Sequence, residues 1–213
     1  MTSSAWRSAT ASTSPPRGSQ IEPPKGSTDR VDARVGEVYL HAAEIRARVE
    51  ELGLQLAADY AGREPILVGT LKASFVFLAD LSRAMPIVHG LDFVELAGYG
   101  GAATGGHTAI RLIKDLDAEI EHRDVIVVED VVDTGLTLHY LARTLQLRSP
   151  RTLAAVTFLD RPYRRLVDEL PVQYVGFTVP DEFFVGYGFD LDESHRNLPD
   201  LHLVSTGEPG VPS

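Results

Sequence analysis

Residues 125–137 read VIVVEDVVDTGLT, and this stretch decides the fold. A strand is predicted at residues 124–128, because residues 125–128 are all apolar and β-branched, as is typical of a parallel strand covered on both faces of a sheet. A turn at residues 133–135 follows, and the apolar spacing of residues 136–147 predicts a helix. Because another apolar strand is predicted at residues 153–159, the segment has the order strand, helix, strand, which is typical of a parallel sheet.

The same alternation continues on both sides of this segment. Residues 38–60 carry apolar side chains at helical spacing between charged ones, which predicts an amphipathic helix, and residues 66–81 predict a strand, a turn and a second helix. Further short strands are predicted at residues 91–96, 109–113, 174–179, 185–189 and 201–204. The pattern predicts an α/β fold with an open, mainly parallel twisted sheet and helices on both faces, whose ligands bind beyond the carboxyl ends of the strands.

The composition limits the kinds of partner and site. The chain of 213 residues has 20 Lys and Arg against 30 Asp and Glu, a formal net charge of −10, which disfavours binding to nucleic acid or to an anionic membrane surface. No apolar run is long enough to span a bilayer. The absence of cysteine excludes disulfides, thiolate nucleophiles and Cys-based zinc sites. We therefore expect a cytoplasmic protein with neither a nucleic-acid nor a membrane partner.

The two ends of the chain differ in composition from its middle. Residues 1–35 are expected to be a disordered tail, because Ser, Thr, Pro and Gly dominate them and few apolar side chains could anchor them to a core. A Ser-rich, acid-poor composition is also found in organelle transit peptides, so that alternative stays open at this level. One domain is expected over residues 36–206, and residues 207–213 are expected to be a flexible C-terminal tail.

Three carboxylates, those of Glu129, Asp130 and Asp133, follow the predicted central strand at the edge where ligands of such sheets bind. The helix start just beyond them offers unpaired N–H groups and a favourable dipole for a phosphate, and Gly135 allows close approach of the backbone to an anion. Helix capping by Asp133 or Thr134 would explain one acid but not three. Asp-Thr-Gly is also an aspartic protease signature, but those proteins are rich in β-structure. The pattern therefore indicates a site for a phosphorylated sugar.

Residues 125–137 resemble the 5-phosphoribosyl-1-pyrophosphate (PRPP) motif of type I phosphoribosyltransferases, in its hypoxanthine-guanine form. Three more stretches resemble segments of that family in the same order: its pyrophosphate loop (ILVGTLKASF, residues 66–75), the run after its mobile loop (RLIKDL, 111–116) and its base-binding segment (VGFTVPDEFFVGYGFD, 175–190). The resemblance implies a purine salvage enzyme that converts hypoxanthine or guanine, with PRPP, to IMP or GMP and pyrophosphate. It also implies a small hood subdomain formed by terminal segments, notably residues 180–204.

The resemblance assigns roles around the acidic turn. Glu129 and Asp130 would hold the ribose hydroxyls, directly or through Mg²⁺, and Asp133 would be the catalytic residue that exchanges a proton with N7 of the purine. The ribose and 5′-phosphate of PRPP would thus be bound by a run of residues that continues into the predicted helix: Glu129, Asp130, Asp133, Thr134, Gly135, Leu136 and Thr137.

The resemblance also implies a pyrophosphate site and a metal site. Pyrophosphate would be bound by the loop Leu71-Lys72-Ala73, with a cis peptide before Lys72, and by Arg165 and Arg196. Asp190 would hold Mg²⁺, whose remaining ligands would be pyrophosphate oxygens and waters, as a hard and strongly hydrated ion prefers. The metal ligands implied by the resemblance are Glu129, Asp130 and Asp190.

The purine-binding and mobile-loop positions depart from the family pattern. Phe183 would stack on the purine, but Phe184 stands where the family commonly has Val, and the loop reads Gly98-Tyr99 where the family usually has Ser-Tyr. Arg161 replaces a lysine that in bacterial relatives donates to O6 of the base. Arginine also supplies only donors, so a 6-oxopurine should be accepted and adenine rejected; the alternative is that Arg161 turns outward into solvent.

Two other functions stay open at this level. A regulator with this fold could sense PRPP or nucleotides without catalysis, although it would need the phosphate cradle and not Lys72, Asp133, Asp190 and Arg196 together. A phosphoribosyltransferase acting on another base is the second alternative. The resemblance further implies a homodimer or a homotetramer.

Overall fold

The computed structural model describes residues 34–99 and 109–205. The elements in these residues are β1 (Val35–Leu40), α1 (Ala42–Asp59), β2 (Ile66–Leu71), α2 (Phe75–Ala84), β3 (Gly90–Tyr99), β4 (Ala109–Lys114), β5 (Asp124–Val132), α3 (Leu136–Gln146), β6 (Thr152–Asp160), β7 (Val172–Thr178), β8 (Phe184–Val185) and β9 (Leu201–Val204). The tail expected at residues 1–35 lies outside the described residues except for its last two, of which Val35 begins β1. The tail expected at residues 207–213 lies outside them entirely, as does the glycine-rich loop expected at residues 98–106 apart from residues 98 and 99.

The main sheet has six strands in the order β4-β3-β2-β5-β6-β7. All neighbours are parallel except β3 and β4, which run antiparallel. The predicted α/β class and the mainly parallel sheet are therefore confirmed. β5 lies between β2 and β6, so its carboxyl end, which carries the acidic turn, lies in the middle of the ligand-binding edge.

Helices cover both faces of this sheet, as the sequence predicts. Successive residues of β5 point to opposite faces: Ile126 and Val128 pack with α1 and α2, while Val125 and Val127 pack with α3. Because both faces are covered, the strand is apolar throughout instead of alternating. The first of these cores contains an aromatic group around Phe158, made of Phe77, Phe177, Tyr187 and Phe189.

A second, smaller sheet has three antiparallel strands in the order β1-β9-β8. It joins the start of the described chain to its end, because Val35 is the partner of Val204 and Leu40 that of Leu201. Two of its strands, β8 and β9, come from the segment 180–204 that was predicted to form a hood, and the third is β1. The segment between β8 and β9 leaves this small sheet and contacts the main sheet just after β2, where Gly188 lies close to Ala73.

Three predicted boundaries were wrong. β5 continues to Val132 instead of ending at residue 128, so Glu129 and Asp130 lie within the strand. Residues 38–40 were assigned to the first helix but belong to β1, where they pair with β9; the helix begins after His41, whose backbone N–H donates to Glu44 in a capping interaction. The predicted strand at residues 185–189 is only the two-residue β8, because Gly186 and Gly188 turn the chain with φ of 97° and 98°. Helical spacing does not reveal where a distant strand takes over the backbone hydrogen bonds.

Residues 34–99 and 109–205 include no helix that is long and apolar enough to cross a membrane.

Candidate active site

The turn from β5 into α3 forms the centre of the site. Gly135 precedes the helix with φ of 81°, and a Cβ atom there would lie 2.7 Å from Leu170 Cδ1 and 2.9 Å from Val167 Cγ2, so both the conformation and the space require glycine. The N-cap residue Gly135 has no side chain to cap α3, and the backbone N–H of Leu136 donates to the Thr134 hydroxyl, with 3.4 Å between N and Oγ1. The capping role considered for Asp133 is therefore wrong, and the first-turn N–H groups face the edge where a phosphate could bind.

Glu129 is the most deeply buried of the three acids, with 5% of its surface exposed. Its Oε2 accepts a hydrogen bond of 2.6 Å from the Thr70 hydroxyl, while its Oε1 has no partner. Burial raises the pKa of Glu129 to about 8; the charge of Asp130 acts in the same direction, and the Thr70 hydroxyl opposes both. The carboxyl group therefore holds a proton at neutral pH until a ligand or cation compensates its charge.

Asp130 is influenced by groups from the segment between β8 and β9. Burial raises the pKa of its carboxyl group to about 6, and the charge of Asp190 adds to this, whereas backbone N–H groups and the charge of Arg196 act against it. Asp130, Asp190 and Arg196 are thus close enough to interact electrically. The structure brings these three predicted site residues together from two distant parts of the chain.

The predicted pyrophosphate loop lies beside the same segment. The peptide bond between Leu71 and Lys72 is cis, as the resemblance implies. A Cβ atom on Gly188 would be 2.3 Å from the carbonyl oxygen of Ala73, so glycine is needed for this close approach. Lys72 Nζ contacts Glu193 Oε2 at 3.0 Å, and the Lys72 side chain is otherwise open to solvent.

Arg196 completes this cationic group. Its Nη2 lies 2.8 Å from Asp190 Oδ1 and 3.4 Å from Glu193 Oε2, and its Nη1 donates to the carbonyl of Gly188. The sequence prediction missed Glu193, whose carboxylate bridges Lys72 and Arg196. Its acidic neighbours in the sequence, Asp190 and Asp192, give it no separate signal, and only the folded chain places it between two cations.

Residues around the base-binding end are also assembled. Arg161 is buried, its Nη2 donates to the carbonyl of Glu182, and its guanidinium lies over the Phe184 ring at 5.7 Å. The alternative in which Arg161 turns outward into solvent is therefore wrong. Phe184 is buried and packs on Tyr39, so its side chain belongs to the core, while Phe183 is 73% exposed and offers a free ring face.

Asp133 lies between two arginines. Arg161 Nη1 is 3.8 Å from its Oδ2, and Arg164 Nε is 2.8 Å from its Oδ1, without the alignment of a hydrogen bond. Both arginines also approach Asp181 Oδ1. The sequence prediction missed Arg164 and Asp181; the basic run after β6 was a signal, but nothing in it distinguished Arg164 from Arg165.

Arg165, predicted to bind pyrophosphate, has its donors on the protein itself. Its Nη1 donates to the carbonyl oxygens of Val132 and Asp133, each at 2.6 Å, and its Nη2 pairs with Asp160. The side chain therefore holds the turn that carries Asp133. The structure does not bring Arg165 to Lys72 and Arg196, and the side chains of Gly98 and Tyr99 lie outside the described residues.

Three buried side-chain atoms in residues 34–99 and 109–205 have no hydrogen-bond partner: Glu129 Oε1, Asp133 Oδ1 and Arg161 Nε. Leaving a buried polar atom unpaired costs about 1–3 kcal/mol, so native proteins keep few of them. All three belong to residues that the sequence assigned to the site. An arrangement of two acids and one cation with unused bonding capacity is complementary to a ligand that carries both donors and acceptors.

The acids at this edge fit a hydrated Mg²⁺ better than a protein-enclosed metal. No group of three or more His, Asp or Glu residues in the described part of the chain is arranged to enclose a metal ion. Asp130 and Asp190 approach each other, and carboxylate oxygens are the ligands that Mg²⁺ prefers. A magnesium ion that takes most of its ligands from substrate phosphates and water needs no more protein ligands than these.

Comparison with known proteins gives one consistent result. Residues 36–192 match the family described as phosphoribosyl transferase domain. The chain is 46% identical to a hypoxanthine phosphoribosyltransferase of Salmonella typhimurium over 165 residues, which are 76% of this chain and 92% of the relative. It is 40% identical to a hypoxanthine-guanine phosphoribosyltransferase of Mycobacterium bovis over 183 residues, 83% of this chain and 88% of the relative.

Solved structures agree with these relatives. The crystal structure of a hypoxanthine-guanine phosphoribosyltransferase from Bacillus anthracis superposes with a TM-score of 0.76 at 41% identity and covers 80% of this chain and 99% of that one. A hypoxanthine phosphoribosyltransferase from Staphylococcus aureus gives a TM-score of 0.75 at 39% identity, covering 81% and 92%. The chain therefore belongs to the phosphoribosyltransferase family, among its hypoxanthine and hypoxanthine-guanine members.

Proposed function

We propose that this protein is a purine salvage enzyme that transfers the phosphoribosyl group of PRPP to hypoxanthine or guanine and releases pyrophosphate. The observation that carries the proposal is the set of three buried polar atoms without a hydrogen bond, which belong to Glu129, Asp133 and Arg161. Glu129 would use its free oxygen on a sugar with hydroxyl donors, and Asp133 and Arg161 would use their free atoms on a base with both donors and acceptors. A site that only bound phosphate would leave these atoms without a use.

The sugar-binding part of the proposed site would stabilise the ribose while its bond to pyrophosphate breaks. Glu129 and Asp130 would accept hydrogen bonds from the ribose hydroxyls and favour the positive charge that develops on the ring. The first-turn N–H groups of α3, with Thr134 and Thr137, would bind the 5′-phosphate. Because the backbone amides are fixed by the helix, the phosphate would be bound without reorganisation of the protein.

The base-binding part of the proposed site would position the purine and accept its N7 proton. Arg161 would donate to O6, Asp133 would accept the N7 proton as a ring nitrogen of the base forms its bond to the sugar, and Phe183 would stack on the ring. The Arg161 guanidinium offers hydrogen-bond donors and no acceptor, so the amino group of adenine would have no partner there. This asymmetry supports a 6-oxopurine as the substrate.

The pyrophosphate-binding part of the proposed site lies between the loop 71–73 and Arg196. Lys72, Arg196 and the backbone of the loop would bind the leaving group, and we propose that Asp190 and Asp130 would hold Mg²⁺ beside it. When bound, Mg²⁺ would supply positive charge that offsets the charge of the departing pyrophosphate. Arg165 is not part of this proposal, because its guanidinium is bound to the β5–α3 turn.

The direct test is a base panel. The purified protein is given PRPP and Mg²⁺ with hypoxanthine, guanine, xanthine or adenine, and nucleotide formation is measured. We expect IMP and GMP to form and AMP not to form. Efficient use of adenine would contradict the assignment to 6-oxopurines, and no nucleotide from any base would favour a non-catalytic sensor.

Asp133→Asn should test the catalytic assignment. Asparagine keeps the shape of the turn but cannot take the N7 proton, so turnover should fall by about 10² to 10⁴. PRPP affinity should stay close to that of the wild type, because the phosphate-binding amides are unchanged. Turnover and affinity are measured together, with the exposed Asp117→Asn as the control; near-normal turnover of Asp133→Asn would defeat the assigned role.

A further inference from the structure

Arg164 lies against Asp133 although it faces none of the three parts of the proposed site. It ends the short 3-10 helix Pro162–Arg164 that follows β6, and its backbone N–H donates to the carbonyl of Arg161. Its Nε is 2.8 Å from Asp133 Oδ1, and its Nη1 donates to Asp181 Oδ1. The guanidinium is therefore bound at both ends by carboxylates of the protein.

The neighbouring residue acts on the same aspartate through the main chain. Arg165 donates to the carbonyl oxygens of Val132 and Asp133. Two consecutive arginines thus contact Asp133, one at its backbone and one at its carboxylate. The Tyr163 hydroxyl donates to the Val179 carbonyl and so holds the 3-10 helix in place. The backbone that carries the Arg164 side chain is therefore fixed.

The two carboxylate oxygens of Asp133 have different surroundings. Oδ1 faces Arg164, while Oδ2 faces Arg161, whose Nη1 is 3.8 Å away. O6 and N7 lie on the same edge of a 6-oxopurine. If Arg161 binds O6, Oδ2 is the oxygen on the side of N7, and the contact with Arg164 sets the rotation that presents Oδ2 to the base.

We infer that Arg164, held in place by Asp181, is a positioning residue that fixes the Asp133 carboxylate for proton transfer with N7. The inference rests on the proposed function, since it requires Asp133 to be the catalytic residue. It concerns the rotation of one side chain and not substrate binding. Small errors in the placement of a reacting group reduce rates strongly even when binding is intact.

The stability of the protein cannot be the main reason for this ion pair. The side chains of Arg164 and Asp181 are 39% and 58% exposed, and ion pairs that are open to solvent contribute little to folding. A matched pair exists at the other end of α3, where Arg148 contacts Asp115 at 2.6 Å with exposures of 33% and 50%. Arg148→Gln is therefore a control with the same chemistry and similar solvent exposure.

The experiment compares Arg164→Gln and Arg164→Lys with Arg148→Gln. Arg164→Gln should lower kcat about 10- to 100-fold with KM values for PRPP and hypoxanthine changed less than about threefold, because placement and not binding is lost. Arg164→Lys keeps the charge but cannot reach both acids with a fork, so its kcat should lie between that of Arg164→Gln and the wild type. Arg148→Gln should leave kcat unchanged, and melting temperatures identify any variant that folds poorly.

A double-mutant cycle with Asp133→Asn separates positioning from other roles. If Arg164 acts through the Asp133 carboxylate, Arg164→Gln added to Asp133→Asn should reduce kcat little further. Arg164→Lys in the same background serves if Arg164→Gln is unstable. Normal kcat in both Arg164 variants, a large rise in KM at unchanged kcat, or full additivity in the cycle would overturn the inference.

The proposed function fails in a different way. It fails if the wild type forms no nucleotide or if Asp133→Asn alone retains normal turnover. The positioning role fails if the wild type is active and Asp133→Asn is impaired while the Arg164 variants behave as Arg148→Gln does. A decreased KM with unchanged kcat in Arg164→Gln would also contradict it, because Arg164 would then compete with the substrate for Asp133.

Discussion

Arg161 is buried, yet part of its bonding capacity is unused. The Phe184 ring below it and the Glu182 carbonyl beside it hold the guanidinium, while Nε has no partner in the described part of the chain. A lysine at this position would present a compact ammonium on a flexible stem, whereas the planar guanidinium is held by its stacking contact. The arginine therefore offers a fixed donor geometry to the base.

Arg161→Lys should change the preference among bases. We expect hypoxanthine and guanine to remain substrates, with a changed ratio of their kcat/KM values, because the planar fork is replaced by a point charge. Adenine should stay a poor substrate of both proteins, with a kcat/KM about 10⁴-fold below that of hypoxanthine, because the site is built around a donor to O6. Steady-state rates on hypoxanthine, guanine, xanthine and adenine decide this, and identical ratios across the four bases would mean that Arg161 does not read the base.

Glu129 makes the stability of the free protein depend on pH. Its pKa is raised from 4.5 to about 8, so between these values the folded protein keeps a proton that the unfolded chain has lost. The free energy of unfolding must therefore fall as the pH rises through that window. Above about pH 8 Glu129 no longer changes the free energy of unfolding with pH, because it is then ionised in both the folded and the unfolded state.

Glu129→Gln should remove this part of the pH dependence. Glutamine carries no charge, so the melting temperature of the variant relative to wild type should increase from about pH 5 to about pH 9 without ligand. Thermal unfolding across this range, with the exposed Glu119→Gln as the control, measures the difference. A difference that stays constant with pH would show that Glu129 is ionised in the folded protein at neutral pH.

At the scale of elements, the segment between β8 and β9 forms one wall of the site. It carries Asp190, Glu193 and Arg196, and its turn at Gly188 lies against the pyrophosphate loop. Glu193 neutralises the two cations proposed for pyrophosphate, since it contacts both Lys72 and Arg196. Pyrophosphate must therefore compete with a carboxylate of the protein.

Glu193→Gln should make PRPP bind more tightly. Exposed ion pairs contribute about 0–1 kcal/mol, so removing the competing charge should lower the KM for PRPP by up to about fivefold. The KM for hypoxanthine should not change. Initial rates at varied PRPP, with the distant Glu121→Gln as the control, provide the measurement; an increased KM would mean that Glu193 holds Lys72 and Arg196 in their binding positions.

The sequence predicts elements well where one periodicity extends over a whole element. α3 and β6 were predicted nearly to their ends because the helix follows a glycine turn and the buried strand is almost entirely apolar, whereas β5 was predicted to end at residue 128 and continues through the acids to Val132. β1 was missed because its residues read as part of the next helix, and only pairing with β9 makes them a strand. The long segment over residues 38–60 shows that a periodic pattern does not reveal where an element begins.

Among the candidate site residues, motif positions could be named from the sequence and their partners could not. Glu129 and Asp130 lie in the last part of β5 and Asp133 directly after it, at the predicted edge of the sheet. Arg164 and Glu193 have no motif of their own, because their contacts depend on where β6 and the β8–β9 segment come together. Long-range placement of a charged side chain is a property of the tertiary structure, which local sequence does not encode.

At the scale of the whole molecule, we propose a domain that begins near residue 34 and ends near residue 205, in agreement with the match over residues 36–192. Lys72, Asp133 and Arg161 follow strands of the six-stranded sheet, whereas Asp190 and Arg196 lie between the small-sheet strands β8 and β9, so we propose that both sheets contribute to the site. The two sheets must therefore keep a fixed arrangement for catalysis.

Deleting residues 1–30 should leave the activity and the melting temperature nearly unchanged. Few apolar side chains in this stretch could join a core, and β1 would be kept intact. Steady-state rates and thermal unfolding of the shortened chain, compared with the full chain, test this. A melting temperature lowered by many degrees would show that the stretch packs on the domain and would move the domain boundary.

The pairing of β1 with β9 has a consequence for how the protein is made. β1 leaves the ribosome before every strand of the main sheet and β9 after all of them, so the strands that contain Val35 and Val204 can meet only when the main sheet has been synthesised. Closing so long a loop is slow compared with forming the helices or neighbouring strands of the main sheet. The wall that carries Asp190 and Arg196 is therefore expected to take its place last, so that a nascent chain would have its phosphate cradle before it could hold pyrophosphate.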